Sequence, residues 1–430
     1  MKQGRAAPHA SWALLVSVCA IAIVAKLSRK HPEVQTTTTA VVAVATMIED
    51  AGAPTIAQQP SASDAAVSLP IRMQHGDRKR TARYAVRGPS SLNQKWKASG
   101  LGAIEAQPIP SPDESVIYVA SLGGELIALS RADGSVKWRV PLGGRSYVTP
   151  CVDTKGNVYS ASDAKKLFAL RPDGKIAWTL DLDDEGDTAC ALADAKNEEG
   201  NIVFGAGKTL YAVTPNGDVA WRFSARGKIF TAPAIDDRGR VFFGAQDHRA
   251  YGVDHGKKAF AVDLGADVDG SPAIDDDGTV VFGTDGGEVV RLNGEGSAVW
   301  SSRVYGFVRG PLSITRSGDV LAGVYGPRSR VVRLDGKTGV EKASFAVPGT
   351  GALEFGVHGA PAEDAAGQLY FGAQDDQFRA IGPAQKTMGN LLFTLRTEGD
   401  VDAPATLLSD GALVVASDDG AVYYLEPSPR

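Results

Sequence analysis

Ser271-Pro-Ala-Ile-Asp275, Asp276-Asp-Gly278, Thr279-Val-Val-Phe-Gly283, Thr284-Asp-Gly-Gly287, Glu288-Val-Val-Arg-Leu292, Gly294-Glu-Gly296 and Ala298-Val-Trp300 follow one another through thirty residues. The apolar runs are too short for a helix and rich in β-branched residues, and Asp-Gly or Gly-Gly pairs separate them. This spacing predicts four antiparallel strands joined by tight turns. One such sheet cannot bury both of its faces alone, so the stretch calls for neighbours built in the same way.

Those neighbours lie on both sides. The opening step, a Pro or Ala before a short apolar strand, recurs at Pro108, Pro150, Ala189, Pro233, Pro272, Pro311, Pro361 and Pro404, at intervals of 42, 39, 44, 39, 39, 50 and 43 residues. That period matches a four-stranded blade and not a helical repeat. Seven repeats close on an aromatic residue, at Trp138, Trp178, Trp221, Phe260, Trp300, Phe345 and Phe393. The last repeat ends at Val422-Tyr-Tyr-Leu425 without one, whereas Asn93-Gln-Lys-Trp96 stands alone ahead of the first step. The N-terminal strand is therefore expected to complete the last blade, leaving no free sheet edge. The fold class is all-β: an eight-bladed β-propeller of four-stranded antiparallel blades over residues 91–430.

Ahead of it, residues 1–30 read as an export element. Lys2 and Arg5 precede the uncharged run Ser11–Ala25, and Lys26, Arg29 and Lys30 follow it. Fifteen residues suit either a signal peptide or a short membrane anchor, and Cys19 sits in a poor lipobox, so cleavage, retention and lipidation stay open. Residues 31–90 read as a flexible linker, first Thr/Ala/Pro/Ser-rich and then basic from Arg72 to Arg87, a stretch expected to be solvated. The formal net charge is -5, but residues 1–90 hold 11 Lys/Arg against 5 Asp/Glu and the remainder 34 against 45. An acidic body argues against a nucleic-acid partner, which needs clustered cations.

Ala128-Leu-Ser-Arg-Ala-Asp133-Gly134-Ser-Val-Lys-Trp138 and Ala169-Leu-Arg-Pro-Asp173-Gly174-Lys-Ile-Ala-Trp178 resemble the PQQ-type (quinoprotein-type) propeller repeat, as does Ala212–Trp221. The resemblance spans roughly Leu92–Pro427. It implies that Trp96, Trp138, Trp178, Trp221 and Trp300 dock between blades instead of stacking on ligands. Within that family, the quinoprotein dehydrogenases carry adjacent cysteines over PQQ and a calcium ion. No adjacent cysteines occur here and the connections are short, so neither PQQ nor calcium is expected, and the chain resembles the second, scaffolding class typified by BamB, which serves outer-membrane protein assembly.

Other chemistry finds little support. The Asp-rich turns at Asp236 and Asp275 lack the spacing of a calcium loop and read as turn chemistry, and no H-E-x-x-H or G-x-S-x-G occurs. Cys151 and Cys190 share one register in adjacent repeats; two buried thiols are the default expectation, with a disulfide as the alternative if the strands approach within about 7 Å. The segments before each Pro step converge on one end of the central channel. They offer Arg145, Tyr147, Phe230, Asp267, Asp269, Tyr305, Phe307, Arg309, Glu354, His358, Asp400 and Asp402 either as candidate partner-binding residues or as side chains that simply fill or line a wet channel. The reading is a monomeric, non-catalytic binding propeller of the bacterial cell envelope, on the periplasmic side, tethered to the membrane by its N-terminal segment and directed at a protein or peptide partner. A degenerate PQQ-dependent oxidoreductase and a carbohydrate- or polymer-binding propeller are the alternatives.

Overall fold

The computed structural model describes residues 72–193, 200–349, 355–383 and 388–427. The expectations for residues 1–30 and 31–71, and for Glu354, lie outside them. Thirty-two strands, β1 (Gln94–Ala98) to β32 (Ala421–Leu425), form eight four-stranded antiparallel sheets. The blade quoted above comprises Gly270–Ile274, Val280–Gly283, Glu288–Leu292 and Ala298–Arg303, each strand paired with the next. The second and third strands of each blade are almost wholly buried and supply the core between blades, while the outermost strand mixes exposed residues with half-buried or buried ones. Ring closure is as expected: β1 pairs with β32, Trp96 opposite Tyr424, with the two rings stacked at 5.1 Å.

The recurrent Asp-Gly and Trp are two halves of one joint. Trp138 Nε1 donates to Pro172 O of the next blade at 3.0 Å, and its ring lies against Gly174, where an added Cβ would meet Trp138 Cδ2 at 2.8 Å. Trp96 with Arg131 and Gly134, Trp178 with Pro215 and Gly217, and Trp300 with Gly336 and Gly339 repeat it. Gly134, Gly174, Gly217 and Gly339 also have φ between +72° and +95°, so the position needs glycine twice over, for the left-handed backbone and for the missing Cβ. Trp221 packs against Gly256 in the equivalent turn.

The innermost strands span only two paired residues in seven of the blades, for example Cys151–Val152, Ala234–Ile235 and Ser313–Ile314. Each pairs with its blade on one side and presents its other edge to the channel, so backbone donors would be left bare there. The segment from Arg72 to Gly88 takes them up. The carbonyls of Arg72, Arg78, Lys79, Thr81 and Ala82 accept from the N–H groups of Val152, Ile235, Ile274, Ile314 and Glu363 at 2.8–3.1 Å. This corrects the expectation that Arg72–Arg87 is a solvated linker: Arg80 has no exposed surface at all, and His75, Thr81 and Tyr84 are buried. Channel walls made of backbone edges select polar, hydrogen-bonding residues, so the plug carries none of the apolar periodicity that marks a buried segment elsewhere.

Cys151 and Cys190 form a disulfide between the inner edges of the second and third blades, with Cα atoms 5.9 Å apart. This overturns the default of two free thiols. Equivalent positions on adjacent inner strands lie closest near the axis, where the blades converge.

Candidate functional site

The plug is built around Arg80. Its Nε donates to Pro233 O at 2.7 Å, one Nη to Gln74 Oε1 at 2.8 Å and the other to Cys190 O at 3.2 Å. Burial works against its charge and pushes it down to about 9, while Asp77 opposes the shift; the carbonyl dipoles of three neighbouring segments replace water around the guanidinium. Gln107, from the first blade, accepts from His75 N at 2.9 Å and donates to Tyr84 Oη at 3.2 Å and Ala405 O at 2.9 Å. With the backbone ladder, these bonds tie the plug to all eight blades. At the turn end of the channel its cations meet carboxylates, Arg78 and Lys79 with Asp237 at 2.7 Å and Arg83 with Asp276 at 2.8 Å.

At the opposite end the channel opens as a funnel of about 470 Å³, with Gln74 of the plug in its lining. Seven of the twelve residues expected at the mouth line it: Arg145, Tyr147, Phe230, Asp269, Arg309, His358 and Asp402. Asp267, Tyr305, Phe307 and Asp400 stand outside the lining. Tyr305 is 72% exposed with φ of +54°, a left-handed conformation that is uncommon for an aromatic residue. Phe307 lies under Arg309, 4.7 Å from the guanidinium to the ring centre, and Tyr147 under Arg145 at 5.4 Å. Arg145 pairs with Asp163 and Arg309 with Asp285, each at 3.0 Å.

The funnel is acidic beyond these pairs. Glu105, Glu185, Asp187, Asp269 and Asp402 all line it, and Asp400 and Asp418 stand beside Asp402. Burial first, with repulsion from neighbouring carboxylates, pushes Glu105 and Asp418 up to about 7 and Asp187, Asp269 and Asp400 up to about 6. Glu105 was missed from sequence, although its register was legible: it stands three residues before Pro108, as Tyr147 stands before Pro150, Phe230 before Pro233, Asp269 before Pro272 and His358 before Pro361. Gln74 carried no signal, being reached only through the fold of the plug.

Among the described residues, no group of three or more His, Cys, Asp or Glu side chains is placed to hold a metal ion, and the one disulfide joins residues 39 apart in the channel wall instead of adjacent cysteines. No helix among the described residues is long and apolar enough to cross a membrane.

Blade count, the Trp-Gly joints and the axial funnel define a propeller of the PQQ-repeat class. Residues 89–209 and 206–429 match the family described as outer membrane protein assembly factor BamB, and the chain belongs to that family. The plug at residues 72–88 precedes the matched stretch. In three dimensions the chain is similar to BamB from Moraxella catarrhalis, with a TM-score of 0.62 at 17% identity over 78% of this chain and 99% of that one. It is also similar to the quinohemoprotein alcohol dehydrogenase of Comamonas testosteroni, with a TM-score of 0.70 at 12% identity over 86% and 82%. Among curated proteins, Protein Rv3035 of Mycobacterium tuberculosis is 33% identical over 95 residues, which is 21% of this chain and 23% of that protein's length. At these identities the two structural likenesses speak for the fold alone.

Proposed function

We propose that this chain is a non-catalytic binding propeller of the bacterial cell envelope that holds an extended segment of a protein partner in the mouth of its channel. The observation that carries the reading is the one-ended channel. The chain's own plug fills the axis toward the turn end, and what remains is a funnel edged by the exposed rings of Tyr305 and Phe230. Membership of a family described by its role in outer-membrane protein assembly supports the envelope setting. The Cys151–Cys190 bond supports it too, since disulfides persist in oxidising compartments. A sugar-binding role is less well supported, because Arg145 and Arg309 already cover faces of Tyr147 and Phe307 that a sugar ring would need.

The test places a photo-crosslinking residue at Tyr305 or Phe230 in the cell, with Val340 on the outer edge as a comparison site. Discrete adducts from the mouth positions alone support the reading; adducts from Val340 alone overturn the assignment to the mouth. Saturable binding of PQQ with calcium, accompanied by alcohol-dependent dye reduction, would overturn the non-catalytic part.

A further inference from the structure

The charges of the two channel ends are balanced differently. At the turn end the plug brings Arg78, Lys79 and Arg83 to the carboxylates of the blades. The seam between the last and first blades lies at the mouth, where Glu105 and Asp402 line the funnel and Asp400 and Asp418 stand beside Asp402. None of these four is ion-paired to a Lys, Arg or His among the described residues. Arg145 is the cation nearest in effect to Glu105, but it is held by Asp163.

Asp402 shows that the seam is built and is not a solvated acidic face. It is only 8% exposed, it lines the funnel, its Oδ2 accepts from Gln374 Nε2 at 3.2 Å, and its Oδ1 has no hydrogen-bond partner. Asp418, beside it, also carries a buried oxygen without a partner. A buried carboxylate oxygen left in this state is costly unless something meets it. The four carboxylates are not grouped so as to converge on a metal ion, whereas an ammonium or guanidinium group on a long stem can engage two or three acceptors spread around it.

We propose that the seam formed by Glu105, Asp400, Asp402 and Asp418 is the receptor for a lysine or arginine side chain of an extended peptide seated in the mouth. This rests on the mouth being a peptide site and specifies the chemistry of what it takes. Entry of the cation replaces mutual repulsion among the carboxylates with attraction, so the partner segment is a basic one.

The full chain is titrated with an amidated Gly/Ser peptide carrying central lysines and with its norleucine counterpart, which keeps the length and removes the charge. The lysine peptide binds and the norleucine peptide does not. Glu105→Gln weakens binding on the order of tenfold, the equivalent of losing one charge-assisted contact, and Asp173→Asn on an exposed outer turn leaves it unchanged. Glu105 makes no hydrogen bond among the described residues, so its variant should fold; Asp402→Asn is the second variant, read only where its melting curve matches the parent. Equal binding of both peptides overturns the cation receptor and leaves the mouth as a peptide site. Failure of both peptides to bind overturns both. Displacement of the lysine peptide by calcium at equimolar concentration also overturns the inference, because the seam would then be a metal site.

Discussion

Glu105 and Asp418 carry a measurable signature of the mouth. Both are pushed up to about 7 in the folded chain, against about 4 in an unfolded one. A carboxyl raised in this way contributes stability that is complete below about pH 4 and is lost as pH rises through about 7. At pH 8 the two charges therefore destabilise the fold, and Glu105→Gln combined with Asp418→Asn should be more stable than the parent by on the order of 1 kcal/mol there. The advantage should disappear by about pH 4.5, as paired urea titrations at the two pH values would show. His75 acts in the opposite sense: it is buried neutral and pushed down to about 3, so it withdraws stability as pH falls below its unfolded value. It is unchanged in the variant, and the comparison cancels it. A variant no more stable than the parent at pH 8 would show that the carboxylates are better solvated than their burial implies. Little of this was legible beforehand. Asp269, Asp400 and Asp402 could be named from their place before the Pro step, but the state of a carboxyl depends on what the neighbouring blades bring to it across distances of hundreds of residues.

Among the elements, strands and plug differ in how openly the sequence declares them. Strands such as Glu288–Leu292 were found to the residue because a β-branched run bounded by turn glycines has one reading. The Trp-Gly joint was visible as a recurrence, although its reason, a ring lying where a Cβ would stand, needed coordinates. The plug was misread because its burial rests on hydrogen bonds to strand edges and not on apolar packing. Arg80 is the sharpest case: replacing it with Ala would leave the carbonyls of Pro233 and Cys190 unmatched and open a hole on the axis, a loss of about 3 kcal/mol or more by comparison with other broken buried polar networks. Lys95→Ala on β1, half exposed, should stay within about 0.5 kcal/mol. Chemical denaturation of the two variants decides it, and equal stabilities would mean that water readily takes the place of the guanidinium.

For the whole molecule, the ring is held by three devices: strand exchange between β1 and β32, the plug bonded to every blade, and the Cys151–Cys190 bond. The last closes a loop of 39 residues, for which the chain-entropy estimate is about 4 kcal/mol. Replacing both cysteines by serine should lower stability by about 2–4 kcal/mol, measured under non-reducing conditions, and dithiothreitol should have the same effect on the parent and none on the variant. A variant as stable as the parent would mean that the other two devices already restrict the chain enough. Blade number and ring closure could be counted from the repeats. The disulfide could not be decided from them, because it depends on how closely two inner edges approach at the axis.

The plug also orders events in time. Residues 72–98 are made well before their partners, which extend to Ala405, 321 residues after Tyr84, and to Ala421–Leu425. Early blades can collapse as they emerge, but the hub and the final sheet stay unsatisfied until residues 405–425 are present, and long-range pairings of this kind form late. A chain with this wiring reaches its finished state only once residues 405–425 have been made, and it remains threadable until then.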